Sequence, residues 1–88
     1  MLDSRWSQAE RVFELIEAIL KAHGAELRDV LHIRTFMTDL GDLAAYGAVR
    51  RRLFPGTPPP ASTTVQVGAL FRPGAVLEVE VTAVATAG

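Results

Sequence analysis

Cysteine is absent from the 88 residues, which excludes a disulfide framework, a thiolate metal site and a cysteine nucleophile. Histidine is scarce: His23 and His32 are the only imidazoles, and no ligand spacing joins either to a carboxylate, so neither a metal nor a cofactor is expected. No segment approaches the ~18 uncharged apolar residues of a membrane span. The opening Met1-Leu2-Asp3-Ser4-Arg5 carries no apolar run ahead of a small-residue cleavage site, so the expectation is a soluble cytoplasmic protein with no membrane contact. An excess of positive charge is also missing. Nine Lys and Arg stand against ten Asp and Glu, for a net charge of -1, and this gives no overall field to attract phosphates, so nucleic acid is not an expected partner. The local run Arg50-Arg51-Arg52 does not change that balance.

What is present in quantity is apolar. Residues 1–88 are expected to form one domain, of a size that buries only about 60 to 65% of the surface its unfolded chain exposes. Yet 49% of the residues are hydrophobic and the mean hydropathy is +0.22. Some of that apolar surface is therefore expected to face another subunit.

Between Ser7 and His23, Ala9, Val12, Phe13, Ile16, Ile19 and Leu20 recur at helical spacing, with Ser7 to Glu10 in capping-box form and Gly24 as a left-handed stop. Residues 30–38 read as a strand, with Leu31, Ile33, Thr35 and Met37 alternating against His32, Arg34, Phe36 and Thr38. Asp39 suits the cap of a second helix over residues 40–54 that offers Leu43, Ala44, Ala48 and Leu53 to the core, and Pro55-Gly56 ends it. The prolines of residues 57–60 make a stiff connector. Strands are expected over residues 62–69 and 76–85, the last with Leu77, Val79, Val81, Ala83 and Ala85 on one face and Glu78, Glu80, Thr82 and Val84 on the other. The order α-β-α-β-β predicts an α+β fold, a mixed sheet with two helices on one face. The opposite face, or an apolar row such as Leu77/Val79/Val81 or Val65/Val67, is expected to need a lid from a partner.

Pro58-Pro59-Pro60-Ala61-Ser62-Thr63-Thr64-Val65-Gln66-Val67 and Leu77-Glu78-Val79-Glu80-Val81-Thr82-Ala83-Val84 resemble the C-terminal signature of the RidA family, also called YjgF. Asp29-Val30, Phe36-Met37-Thr38-Asp39 and Leu53-Phe54 fall in the family's order as well. The resemblance implies a fold like that of the trimeric chorismate mutases, a homotrimer with clefts at subunit boundaries, and hydrolytic deamination of reactive enamines and imines. It also implies roles. Glu78 matches the glutamate that holds and activates the hydrolytic water, and Ser62, Thr63 and Thr64 line the substrate pocket. Ser62 stands where the family has a carboxylate-gripping arginine, and Gly47 where it often has an asparagine. Family members also carry strands ahead of the first helix, which this chain lacks; the expected consequence is an exposed strand edge.

Other residues have plainer readings. Glu78 and Glu80 share a strand face about 7 Å apart, which suits a carboxylate pair or two solvated side chains. Arg34 reads as a surface residue over the sheet, Arg72 as a turn residue, and Arg50 to Arg52 as favourable charge at a helix C-terminus. His23 sits in a capping place, and Trp6 reads as a staple or subunit contact. Two functions are open: an imine or enamine deaminase, or a diverged small-substrate hydrolase, weakened on acidic substrates by the loss of the arginine; alternatively a non-catalytic member that binds a small metabolite or protein partner in the trimer clefts.

Overall fold

Two helices lie on one face of a three-stranded mixed sheet, as the periodicity predicts. The computed structural model describes residues 4–85, with side chains from residue 7 onward. Its elements are α1 (Ser4–Ala22), β1 (Val30–Met37), α2 (Leu43–Leu53), β2 (Ala61–Gln66) and β3 (Leu77–Ala83). Strand β1 is central, parallel to β2 and antiparallel to β3, in the order β2-β1-β3.

Helix α1 begins ahead of Ser7, so the expected capping box does not form. Its polar residues serve elsewhere. Gln8 clamps the start of β3, donating from Nε2 to the Gly74 carbonyl at 3.1 Å and accepting the Val76 N–H at 2.9 Å. Glu10 pairs with Arg52 of α2 at 3.1 Å. The expected staple by Trp6 concerns a side chain outside the described residues. At the other end the stop is as read. Gly24 takes φ +79°, the Ala25 N–H bonds the Leu20 carbonyl and the Gly24 N–H bonds that of Lys21, which closes the helix as a Schellman motif.

Among the described side chains of α1, Ala9, Phe13 and Leu20 are buried, while Ile19 of the expected stripe turns outward at 60% exposure. On β1 the inward residues are Val30, Ile33, Thr35 and Met37. A register shift between Val30 and His32 moves Leu31 to the outside, which the strict alternation of the sequence did not anticipate.

Helix α2 departs further. A 3-10 turn at Leu40–Asp42 precedes it, with the Asp39 carboxylate accepting the Gly41 N–H at 2.8 Å. The tighter winding of that turn changes the phase of the helix it leads into, so Tyr46 and Val49 face the core and Leu43 stays exposed. Phe13 stacks on Tyr46 with centroids 6.0 Å apart and meets Phe54 edge-on at 5.7 Å. Met37, Val49 and Leu77 complete this cluster, and Leu20, Ala25, Val30 and Ile33 form a second.

Leu77, Val79 and Val81 pack against these two clusters. The molecule's own helices therefore cover the row for which a partner's lid was expected. Of the other row, Val65 is left outside, at 40% exposure.

Candidate functional site

The register assigns each candidate residue to a face. Directly opposed residues of neighbouring strands project to the same side of a sheet. Glu78 lies opposite Phe36, which in turn lies beside Val65; Glu80 lies opposite Arg34, which lies beside Thr63. These residues occupy the face turned away from the helices. Ser62 and Thr64 pair with Ile33 and Thr35, both buried beneath the helices, and so project to the helix side.

Within one copy, then, the expected site is divided. Glu78 and Ser62 sit on opposite faces of the two outer strands, Glu78 level with Phe36 and Ser62 with Ile33 of the β1 strand between them, so that two strand spacings and three residues of strand rise, each roughly 10 Å, separate them. Thr63 shares the face of Glu78 but is bound to β1, its Oγ1 lying 3.1 Å from His32 Nε2. Glu78 is exposed and stands at the rim of a groove of about 400 Å³ beside the outer edge of β3, with Leu15, Ile16, Phe71 and Val79 among its walls. A carboxylate beside an apolar wall can hold a water against a bound molecule and pass a proton to it.

Ser62 lies on the side of α2, and here the sequence reading missed a residue. Arg50 of α2 extends its Nη1 to Ser62 Oγ at 2.7 Å, with its guanidinium carbon 5.7 Å from the centroid of the Tyr46 ring. The position without the family arginine thus has a guanidinium beside it, supplied by a helix. Gly47, Arg50, Arg51, Phe54, Pro59 and Pro60 line a cavity of about 210 Å³ at this edge. Their spacing was a usable signal: 47, 50, 51 and 54 fall on one helical face, and the proline connector is what that face meets.

Tyr46 anchors the arrangement from below. Its hydroxyl and Thr35 Oγ1 are 2.5 Å apart in the buried core. Burial raises the Tyr46 pKa above its ordinary value of 10.0, opposed by the Thr35 hydrogen bond and the Arg50 charge. The phenol is neutral at physiological pH, which suits a ring that lies under a cation.

A third concavity of about 640 Å³ is framed by Leu27, Val30, Leu53, Phe54 and the connector at residues 55–60. It is lined largely by carbon and prolines, with Arg28 its one charged residue. Among the described residues no group of three or more His, Asp or Glu is placed to hold a metal. None of the helices among them is long and apolar enough to cross a membrane.

The chain is similar to known proteins in sequence and in fold. The family model described as Endoribonuclease L-PSP matches residues 3–85. Protein DfrA of Myxococcus xanthus is 46% identical over 78 residues, covering 89% of this chain and 58% of that protein. The mitochondrial protein mmf2 of Schizosaccharomyces pombe is 32% identical over 75 residues, covering 83% of this chain and 59% of that protein. The crystal structure of RidA from an Antarctic Psychrobacter superposes with a TM-score of 0.77 at 42% identity, covering 83% of this chain and 58% of that one. The chain therefore spans somewhat over half the length of these relatives.

Proposed function

We propose a function from one premise: the chain belongs to the Endoribonuclease L-PSP family, the group of the RidA and YjgF proteins. The proposed activity is hydrolytic deamination of a reactive enamine or imine. Glu78 holds a water, whose oxygen attacks the imine carbon while a proton passes to nitrogen; the resulting carbinolamine then breaks its C–N bond, releasing ammonia and a carbonyl compound.

The observation that carries this reading is the exposed Glu78 carboxylate at the rim of an apolar groove, at the position matching the family's water-handling glutamate. Since one copy puts Glu78 and the 62–64 segment on opposite edges of the sheet, with Ser62 and Thr64 also on the other face, the proposed pocket is assembled between copies, in a homotrimer whose neighbouring subunit supplies the β2 side. A cytoplasmic location is part of the same proposal, and the mitochondrial address of the fission-yeast relative is that protein's own. The family description also carries the word endoribonuclease, but a net charge of -1 gives no field to gather a polyanion. The second reading, a non-catalytic binder of a small metabolite or protein partner in the subunit clefts, draws on the absence of an arginine at Ser62.

An amino-acid oxidase or dehydratase that generates the imine in situ decides between them, with carbonyl release as the readout. Weak activity is expected from the natural chain, a gain of tenfold or more from Ser62→Arg, as two charge-assisted hydrogen bonds of about 1.5 to 3 kcal/mol each allow, and loss of that gain in the double variant with Glu78→Ala. If neither substitution alters the rate of carbonyl release, the binding reading replaces the enzyme.

A further inference from the structure

We propose that the hollow between the start of β1 and the proline connector binds a neutral, flat aromatic molecule of about two to four rings that carries an N–H or O–H donor. Neither Glu78 nor Ser62 lines it, so this binding is independent of the proposed deamination.

Four observations carry it. First, the space is framed by elements distant in the chain. Leu27 and Leu31 bound it on one side and Leu53, Phe54 and residues 55–60 on the other, around about 640 Å³, a volume within the range of sites that hold a small molecule. Phe54 is fixed in place, because its ring meets Phe13 edge-on and packs against both core clusters.

Second, the register shift between Val30 and His32 turns Leu31 outward, to 56% exposure on the rim of this hollow. Irregularities of this kind re-aim single side chains beside sites. A ring laid over Leu31 removes apolar surface from water, which is favourable.

Third, the charge at the rim is already spent. Arg28 is the one charged residue lining the hollow, and its Nη2 lies 2.7 Å from a carboxylate oxygen of Glu26. An ionic ligand would give up its hydration against carbon and proline walls and find no unpaired charge in return.

Fourth, the connector offers acceptors and few donors. Pro55, Pro58, Pro59 and Pro60 have no N–H, and among the described residues no backbone hydrogen bond joins residues 55–59 to another part of the chain. Carbonyl oxygens along this wall are therefore free for a ligand's donor. Proline rings also dock well on aromatic faces, so one molecule with a flat ring system and an N–H or O–H meets both features of the wall.

The test titrates 2-naphthol, uncharged at neutral pH, into the 88-residue chain and follows backbone amide shifts by NMR. Saturable shifts at Leu31, Phe54, Gly56 and Thr57 are expected, with a dissociation constant of about 0.1 to 1 mM, ordinary for so small a molecule. 2-Methoxynaphthalene, which keeps the rings and loses the donor, should bind about threefold to tenfold more weakly, the worth of one hydrogen bond. The anion 2-naphthoate should also bind more weakly than 2-naphthol. Leu31→Glu should weaken 2-naphthol by about tenfold or more, through lost apolar contact and an added charge, Leu31→Ala by less, and Arg28→Gln should leave it unchanged. Leu31 is exposed, so these variants spare the core, and the spectra of the free variants establish that each is folded. Shifts that instead follow the groove beside β3 and vanish in Phe71→Ser, equal binding of the methyl ether, tighter binding of 2-naphthoate, or no saturation by about 5 mM would each overturn the proposal. So would a fall in the mass in solution on adding 2-naphthol, which would assign the hollow to a surface between copies.

Discussion

At the residue scale the most consequential contact is the buried pair Thr35 and Tyr46. Thr35 is 1% exposed and its hydroxyl has Tyr46 as its partner. Tyr46→Phe leaves that hydroxyl unsatisfied and should cost about 1 to 3 kcal/mol, measured as a lower denaturant midpoint at unchanged slope. The same phenol sets a pH dependence. Its folded pKa is raised above 10.0, so the folded chain keeps a proton that the unfolded chain gives up. The contribution is complete below pH 10 and is lost as pH rises through the higher folded value. Urea melts from about pH 9 to 11 should show the natural chain losing stability more steeply than Tyr46→Phe; parallel decline would contradict the assigned cause. Tyr46 is not among the core residues expected from the sequence, because a hydroxyl inside a core is acceptable only when a partner waits for it, and Thr35 is eleven residues away on another element.

At the element scale, the existence and kind of both α-helices and all three strands among the described residues were legible, and their phases were less so. Periodicity placed α1 and β3 because each is long and has one dry face. It failed for α2, where one 3-10 turn rotates the buried face, and at the start of β1, where a register shift sends Leu31 outward. Neither event has a strong local signature. The Gln8 clamp is of the same kind, joining residues 66 and 68 positions apart. Its removal is a test of how β3 is anchored: Gln8→Ala should speed hydrogen exchange at the Val76 amide by about tenfold or more through loss of its acceptor, while amides in the middle of β1 keep their protection. Uniform acceleration throughout the sheet would show that Gln8 supports the whole fold and not this junction.

At the scale of the whole molecule, the sheet has an outer edge at β3, and the groove beside it is apolar. Phe71 is 99% exposed, and Leu15 of α1 is 47% exposed on the same groove. Such an edge and patch invite a further polypeptide. The proposed homotrimer places Glu78 of one copy and Ser62 of another at a common boundary. Light scattering at micromolar concentration should then give three times the 9.5 kDa of one chain. A stable monomer would remove the shared pocket and with it the enzyme reading. Because helices cover Leu77, Val79 and Val81, the proposed association rests on the β3 edge, the Phe71 groove and the exposed Val65 instead of on that apolar row.

The sequence by itself determined the α+β class, the order of elements, the family likeness and the place of Glu78 on an outward strand face, because these depend on local periodicity and on short motifs. Only the tertiary structure decided that Glu78 and Ser62 lie on opposite faces, that Tyr46 has a buried partner, and that a guanidinium from α2 stands beside the serine. Each of those depends on which strand neighbours which and on the phase of a helix after a tight turn. Such facts arise from contacts between distant parts of the chain, and no window of neighbouring residues contains them.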